Sequence, residues 1–178
     1  MLSESISLVQ QSPWIQNKTI KQNILFGSPF NPVKYEETIK ICQLKRDFEI
    51  LPSGDETEIG EKGINLSGGQ KARISLARAV YAEKECILLD DPLAALDQRV
   101  KKRIFKFVMM RKLANKTRIL VCHDLDFLPL ADSIICLKEG HIECQGNYEE
   151  VKHHPYLKEM IRVHNKNRSD HLKFISEG

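Results

Sequence analysis

The chain lacks the features that would place it in a membrane or outside the cell. No apolar run approaches the roughly 18 residues that a helix needs to span a bilayer. No basic segment precedes an apolar stretch at the N-terminus, so no signal peptide is predicted. The cysteines are odd in number and form no C-x-x-C pair, which predicts reduced residues, mostly in the core, and neither disulfides nor zinc ligands. They are Cys42, Cys86, Cys122, Cys136 and Cys144.

The chain also lacks a strong charge of either sign. Its formal net charge is +3 over 178 residues, which is too small to predict binding to nucleic acid or to an anionic membrane. Hydrophobic residues make up 42% of the chain and charged residues 29%, proportions that are typical of a soluble globular protein. We therefore expect one domain with its own core, no nucleic-acid partner, and contact with a membrane only through another protein.

A serine followed by two glycines opens a clear helical pattern in the middle of the chain. The run is Leu-Ser-Gly-Gly-Gln at 66–70, and the helical pattern continues to about residue 82. Ser67 is a good N-cap, the glycines let backbone N–H groups approach a ligand, and the helix dipole favours a phosphate there. Lys71 and Arg73 add positive charge. Taken alone, such a run is more often an ordinary capped helix after a glycine-rich turn.

The loop that cradles a nucleotide's own phosphates is missing from the sequence. That loop reads G-x-x-x-x-G-K-[ST], and the stretches around Gly27, Gly54 and Gly60 lack its Gly-Lys-Ser/Thr ending. The chain thus combines a phosphate-binding helix with no cradle of its own. This combination predicts half of a composite site, or a segment that begins after the cradle.

Apolar runs alternate with helical patterns, which predicts an α/β fold. Continuous apolar runs at 86–90 and 117–122, and a shorter run at 6–9, predict strands of a parallel sheet that is covered on both faces. A helix over 96–113 links the two longer runs in a right-handed crossover. The other predicted elements are helices at 19–26, from Asn31, at 45–51, from Ser67 and at 148–163, a hairpin within 133–144, and a frayed tail from about residue 165.

Charged side chains follow the two longer strands at the point where each strand ends. Asp90 and Asp91 close the first run, and His123 comes directly after the second. Ligands of open parallel sheets bind beyond the carboxyl ends of the strands. Asp90 is therefore placed to hold Mg²⁺, Asp91 to orient or deprotonate a water, and His123 to hydrogen-bond a terminal phosphate. Each residue alone is more often structural, but their combination with the Ser-Gly-Gly run favours the functional interpretation.

Five separated motifs, in this order and spacing, resemble those of ATP-binding-cassette (ABC) transporters. The run at 66–70 resembles the signature motif, 87–90 the Walker B motif and 94–97 the D-loop, while Gln11 and His123 resemble the Q-loop glutamine and the switch histidine. The likeness covers about 6–151. Flanking sequences at 10–14, 23–27, 90–93 and 127–132 are similar to the first nucleotide-binding domain of the multidrug resistance-associated proteins, subfamily C.

The resemblance implies a fold and a nucleotide site. The implied fold is a partial P-loop ATPase core with a mostly parallel sheet and an inserted helical signature subdomain at about 17–82, within a domain over 1–164 and before a flexible tail over 165–178. The implied cofactors are ATP and Mg²⁺. The residues that would contact the γ-phosphate of ATP bound to a partner domain are Ser67, Gly68, Gly69 and Gln70, and Asp97 would communicate across the interface.

Catalysis and metal binding are implied for four residues. Asp91, His123 and Gln11 match the catalytic positions, and Asp90 and Gln11 match the metal-binding positions. Asp91 stands where the family usually has glutamate, and the shorter side chain would hold a water about 1–1.5 Å out of place, which can cost around a hundredfold in rate. The family's first half, with the Walker A loop and the adenine-stacking aromatic residue, has no counterpart in this sequence.

The resemblance also implies partners and a location. A second nucleotide-binding domain would pair with the chain head to tail, and the transmembrane domain of an exporter would hold it at the cytoplasmic face of a membrane. The aromatic residues Trp14, Phe26 and Phe30 lie in polar loop contexts, which predicts an exposed docking surface for the membrane partner. Packing in the chain's own core is the competing interpretation of these aromatic residues.

The implied reaction is Mg-ATP hydrolysis that drives export. An alternative is a catalytically inactive regulatory or dominant-negative module that docks to a transporter half, and the missing cradle favours it for the isolated chain. DNA-repair and chromosome-organising ATPases also carry a signature helix, but long heptad repeats would flank it, and the sequence contains none.

Overall fold

The structure, a computed structural model, describes residues 6–60 and 65–176, with side chains as far as residue 166. Its contacts divide the chain into two compact units, Met1–His123 and Asp124–Gly178. The assignment of 1–164 to the C-terminal part of one ATPase domain stays a prediction. A separate helical subdomain at about 17–82 stays a prediction.

Three strands of the first unit form a parallel sheet with β2 in the centre. The register places Val9 opposite Leu89 and Asp90 opposite Val121. The predicted α/β fold with a parallel sheet is therefore confirmed. The strands, in the spatial order β1-β2-β3, are β1 (Ile6–Val9), β2 (Cys86–Asp90) and β3 (Thr117–Val121).

Only one face of this sheet is buried within the described residues. Ile87 and Leu89 on that face are 0% and 1% exposed. On the opposite face Leu8, Ile119 and Val121 are 56%, 55% and 55% exposed. The prediction of strands covered on both faces is thus wrong for the described part of the chain. An apolar strand sequence shows that both faces of the strand are suited to burial. Whether a face is buried depends on which other elements pack against it.

Local capping signals fix the helices that precede β2. The Thr19 hydroxyl accepts a hydrogen bond from the Gln22 N–H at 3.2 Å, and the Asn31 side-chain oxygen accepts one from the Lys34 N–H at 3.0 Å. Both contacts satisfy N–H groups that the first helical turn leaves without a partner. The helices are α1 (Ile20–Leu25), α2 (Pro32–Ile41), α3 (Lys45–Ile50) and α4 (Gly68–Ala82), with a 3₁₀ turn at Gly54–Glu56.

Helix α4 is 15 residues long and lies in the core of the first unit. Its side chains Ile74 and Leu76 are buried, and the helix contacts α1, α2 and β1. The Tyr81 hydroxyl donates to the Pro29 carbonyl at 2.7 Å and accepts from the Asn31 N–H at 2.8 Å. These two bonds fix the C-terminal turn of α4 against the start of α2.

The connection from β2 to β3 is helical but not a single α-helix. Helix α5 (Gln98–Ile104) begins at the N-cap Asp97, and a π-helix continues it over Phe105–Lys112. The predicted helix over 96–113 is thus confirmed in position and corrected in type. The π-helix keeps Phe105 and Val108 in the core, since its wider turn changes which side chains face inward.

The second unit is a hairpin followed by helices, as the sequence predicts. Strands β4 (Ile134–Lys138) and β5 (His141–Gly146) are antiparallel, and the residues of its buried core are Ile134, Cys136, Val151 and Leu157. The backbone is helical where the sequence predicts a frayed tail, because no proline or glycine interrupts the chain between Pro155 and Ser176. The unit also contains a 3₁₀ helix (Leu125–Leu130), α6 (Tyr148–Val151) and α7 (Pro155–Ser176).

Candidate functional site

The N-terminus of α4 is closed by reciprocal bonds between Ser67 and Gln70. The Gln70 N–H donates to the Ser67 hydroxyl at 3.2 Å, and the Ser67 N–H donates to the Gln70 side-chain oxygen at 2.9 Å. This capping box holds the first turn in a fixed geometry. Ser67 and Gly68 are exposed, while Gly69 and Gln70 are half-buried. Solvent therefore reaches the helix terminus, where N–H groups and the helix dipole favour an anion.

Gly69 lets this terminus approach the segment that follows β2. A Cβ atom on Gly69 would lie 3.2 Å from the Ala95 carbonyl oxygen and 3.5 Å from a methyl carbon of Leu96. A Cβ on Gly68 would come within 3.8 Å of the Ala95 side chain. The second glycine thus serves close packing, because any larger side chain would push the helix away from residues 95–96.

A buried carboxylate that no sequence pattern indicates supports the same turn. Asp47 on α3 accepts from the Gln70 side-chain amide at 3.2 Å and from two guanidinium nitrogens of Arg73, with a shortest distance of 2.7 Å. The side chains of Arg73 and Asp47 are only 14% and 12% exposed. The charge of Arg73 is therefore neutralised by Asp47, and the expectation that Arg73 adds to the positive potential is wrong.

The strand ends carry the residues that the sequence assigns to catalysis and metal binding. The three parallel strands end at one edge of the sheet. Asp90 closes β2 and is exposed, and the exposed Gln11 and His123 follow β1 and β3 by two residues each. Asp91 adopts a left-handed conformation with φ of +40°, and its N–H donates to the carbonyl of Val121 at 2.8 Å. The change in backbone direction at Asp91 ends β2 at Asp90.

Asp97 has a local structural role at the start of α5. Its carboxylate accepts from the Val100 N–H at 2.9 Å, and the side chain remains exposed. Asp97 follows the segment that packs against Gly69. The short stretch 91–97 therefore connects the strand-end residues to the neighbourhood of the α4 terminus.

An aromatic surface lies on α1 and the loop after β1. Trp14 and Phe26 are 53% and 49% exposed, and their rings meet edge to face at 6.0 Å. The guanidinium of Arg78 lies 4.8 Å from the ring centre of Phe26 and 5.5 Å from that of Trp14. Arg78 also donates to the carbonyls of Asn23 and Trp14, at 2.9 and 3.1 Å. Half-exposed rings held by a cation fit a preformed surface better than a core cluster.

Buried Asn23 holds the loop beneath this surface. Its side-chain oxygen accepts from the Gln16 N–H at 2.8 Å and from Arg78 at 3.1 Å. Its amide nitrogen donates to the carbonyls of Gln16 and Thr19, both at 3.0 Å. No sequence signal distinguishes this asparagine from a solvent-facing one, because its partners come from separate segments.

The chain belongs to the ABC transporter family, whose pattern matches residues 1–94. It is 52% identical to "ATP-binding cassette sub-family C member 3" of Rattus norvegicus over 152 aligned residues. The aligned region covers 84% of this chain and 10% of the relative. It is 53% identical over 148 residues to "Multidrug resistance protein mrp-7" of Caenorhabditis elegans, and this alignment covers 82% of the chain and 10% of the relative. "ABC transporter C family member 8" of Dictyostelium discoideum is 52% identical over 150 residues, and this alignment covers 83% of the chain and 9% of the relative.

These relatives confirm the predicted resemblance to nucleotide-binding domains of subfamily C. The chain spans about a tenth of the length of the relatives that it matches. Among the described residues, no helix is both long enough and apolar enough to cross a bilayer.

Proposed function

We propose that this chain is part of an ATP-binding and ATP-hydrolysing domain of an ABC exporter, and that it acts on nucleotide bound by a second domain. The observation that carries the proposal is the terminus of α4, where a capped turn, two glycines and an exposed serine coincide. Ser67, Gly68, Gly69 and Gln70 offer backbone N–H groups, a hydroxyl and an amide to a terminal phosphate. Family membership supports ATP as that ligand.

Oxygen donors at the strand ends fit a magnesium ion. The Asp90 carboxylate and the Gln11 amide are hard oxygen ligands of the kind that Mg²⁺ prefers. Asp90 is the last residue of β2, and Gln11 follows the adjacent strand β1. When bound, the ion supplies positive charge against the phosphates. For a nucleotide held at this edge of the sheet, separate from the one at the α4 terminus, Asp91 would orient the attacking water and His123 would donate to the terminal phosphate. The left-handed backbone at Asp91 supports its role, since it turns the chain directly after β2.

The proposed partners follow from two surfaces. The terminus of α4 faces a second nucleotide-binding domain, with Asp97 beside it, in a head-to-tail pair. The half-exposed Trp14 and Phe26 form the docking surface for a transmembrane domain, which holds the chain at the cytoplasmic face of a membrane. Hydrolysis of Mg-ATP in this assembly drives export.

Ser67→Arg tests the contact with nucleotide. The full chain is mixed with a complete nucleotide-binding domain of the same family, and association and phosphate release are measured with Mg-ATP. Wild type should associate only with nucleotide, and Ser67→Arg should lose that association because arginine fills the space for the phosphate. Association of Ser67→Arg equal to wild type would contradict the proposal.

Two further variants serve as controls in the same experiment. Ser67→Ala removes the cap and the hydroxyl but adds no bulk, so it should weaken association much less than Ser67→Arg and lose about 1 kcal/mol of stability. Ser53→Arg adds the same side chain at another exposed serine and should behave as wild type. ATP-dependent association of wild type without any phosphate release would instead favour the non-catalytic regulatory module.

A further inference from the structure

The hairpin of the second unit places two cysteines directly opposite each other. Cys136 on β4 pairs with Cys144 on β5 in the antiparallel register, so both side chains project from the same face. Opposed residues in such a ladder have Cα atoms about 4.5–5.5 Å apart, which falls within the range of about 4.4–6.8 Å that a disulfide requires. The Cys144 thiol is also close enough to contribute to the raised pKa of Cys136. The pair is therefore preorganised for a bond between the two sulfur atoms.

The two thiols differ in their accessibility. Cys136 is 8% exposed and belongs to the apolar core of the second unit, together with Ile134 and Leu157. Cys144 is half-buried. Burial, together with the neighbouring Cys144 thiol, raises the pKa of Cys136 to about 11. An external reagent thus meets Cys144 first, and Cys136 is left as the shielded partner.

Cys42 and Cys86 do not share this arrangement. Cys42 is fully buried in the first unit. Cys86, which is half-buried like Cys144, lies opposite Ile6 and Thr117 in the parallel sheet. The Cys136–Cys144 pair is set apart by its register, since seven residues separate the two cysteines in the sequence and no C-x-x-C spacing announces them.

We propose that Cys136 and Cys144 form a redox-sensitive dithiol site that low-molecular-weight disulfides such as glutathione disulfide convert to an intrachain disulfide. In the first step the Cys144 thiolate attacks one sulfur of glutathione disulfide, forms a mixed disulfide and releases one glutathione. In the second step the Cys136 thiol loses its proton to solvent, and its sulfur attacks Sγ of Cys144 and expels the second glutathione. The two cysteines are oxidised, and one glutathione disulfide is reduced to two glutathione molecules.

The resulting bond would close the hairpin on its core-facing side. It would join β4 to β5 beside the residues that support α6 and α7, and a reducing thiol would reverse it. This site lies wholly within the second unit, whereas the residues of the proposed nucleotide contact belong to the first.

Peptide mapping of the full chain tests the proposal. The reduced chain is incubated with glutathione disulfide, remaining thiols are blocked with iodoacetamide, and a non-reducing digest is analysed by mass spectrometry. The expected product is a linked peptide that joins Cys136 to Cys144 and lacks two hydrogen atoms, and dithiothreitol should remove the link. Cys86 should carry at most a single glutathione. Absence of the linked peptide in the wild-type chain, with Cys144 either unmodified or glutathionylated, would overturn the proposal.

Single-cysteine variants separate the two steps. Cys136→Ser should stop at the mixed disulfide, so that Cys144 retains glutathione. Cys144→Ser should leave Cys136 unmodified, because the buried thiol is shielded from the reagent. Cys86→Ser is the matched control and should give the same linked peptide as wild type. A glutathione adduct on Cys136 in Cys144→Ser would contradict the order of the two steps.

Discussion

Asp47→Ala tests whether the buried carboxylate on α3 supports the terminus of α4. The substitution removes the acceptor of two guanidinium nitrogens of Arg73 and of the Gln70 amide. Arg73 would remain charged and mostly buried, because its side chain is only 14% exposed. The capping bonds between Gln70 and Ser67 do not involve Asp47, so the perturbation acts on the support of the turn and leaves the cap itself in place.

The expected loss follows from leaving a buried charge without its partner. Removing one member of a buried ion pair costs about 3–5 kcal/mol. Asp47→Asn keeps the shape and one acceptor, and should cost about 1.5–3 kcal/mol, since hydrogen bonds to charged groups contribute about that much. With a urea dependence of at most about 3 kcal/mol/M, the alanine variant should lower the unfolding midpoint by at least about 1 M.

Urea unfolding of the full chain, followed by circular dichroism, measures this loss. Glu36→Ala is the matched control. The side chains of Glu36 and Lys45, which form an ion pair, are each more than half exposed, so this pair should contribute at most about 1 kcal/mol to stability. Adding Arg73→Met to Asp47→Ala should restore most of the lost stability, since it removes the unpaired charge. Equal losses for Asp47→Ala and Glu36→Ala, or no recovery in the double variant, would refute the reasoning.

Three further outcomes are expected from the burial pattern. Ile87→Ala should lower the unfolding free energy by about 2–5 kcal/mol because the Ile87 side chain is 0% exposed. Ile119→Ala, on the open face of the sheet, should lower it by less than about 1 kcal/mol. Equal losses in urea unfolding would contradict burial of one face only. The pKa of Cys136 is raised from 9.0 to about 11, so its neutral thiol favours the folded state below pH 9 and this contribution is lost as the pH rises towards 11. Cys136→Ala should therefore lose less unfolding free energy than wild type over that range, and parallel curves would contradict the assignment. Phe26→Ala should lower the unfolding free energy by about 0.5–1 kcal/mol, since it removes the contact with Arg78, and should weaken pull-down of the transmembrane partner. A loss of about 3–5 kcal/mol would instead assign Phe26 to the core.

The sequence by itself determined the local elements and which residues enter the candidate site. Ser67 and Asn31 cap helices because their side chains reach N–H groups only three residues further along. The apolar runs at 86–90 and 117–122 form parallel strands, as their composition predicts. The charged residues Asp90 and Asp91 come at the end of β2 for the same reason, since strand length is set by the apolar run itself.

Only the tertiary structure decided which distant residues meet. Asp47 reaches Gln70 and Arg73 across 23 and 26 positions of the chain, and it changes Arg73 from a free cation into half of a buried ion pair. Cys136 meets Cys144 because the hairpin register, and not the spacing in the sequence, sets them opposite each other. The open face of the sheet is likewise a matter of which element packs against it. Periodicity and capping depend on neighbours within a few residues, whereas ion pairs, cross-strand contacts and burial depend on how separate segments pack, so no local pattern encodes them.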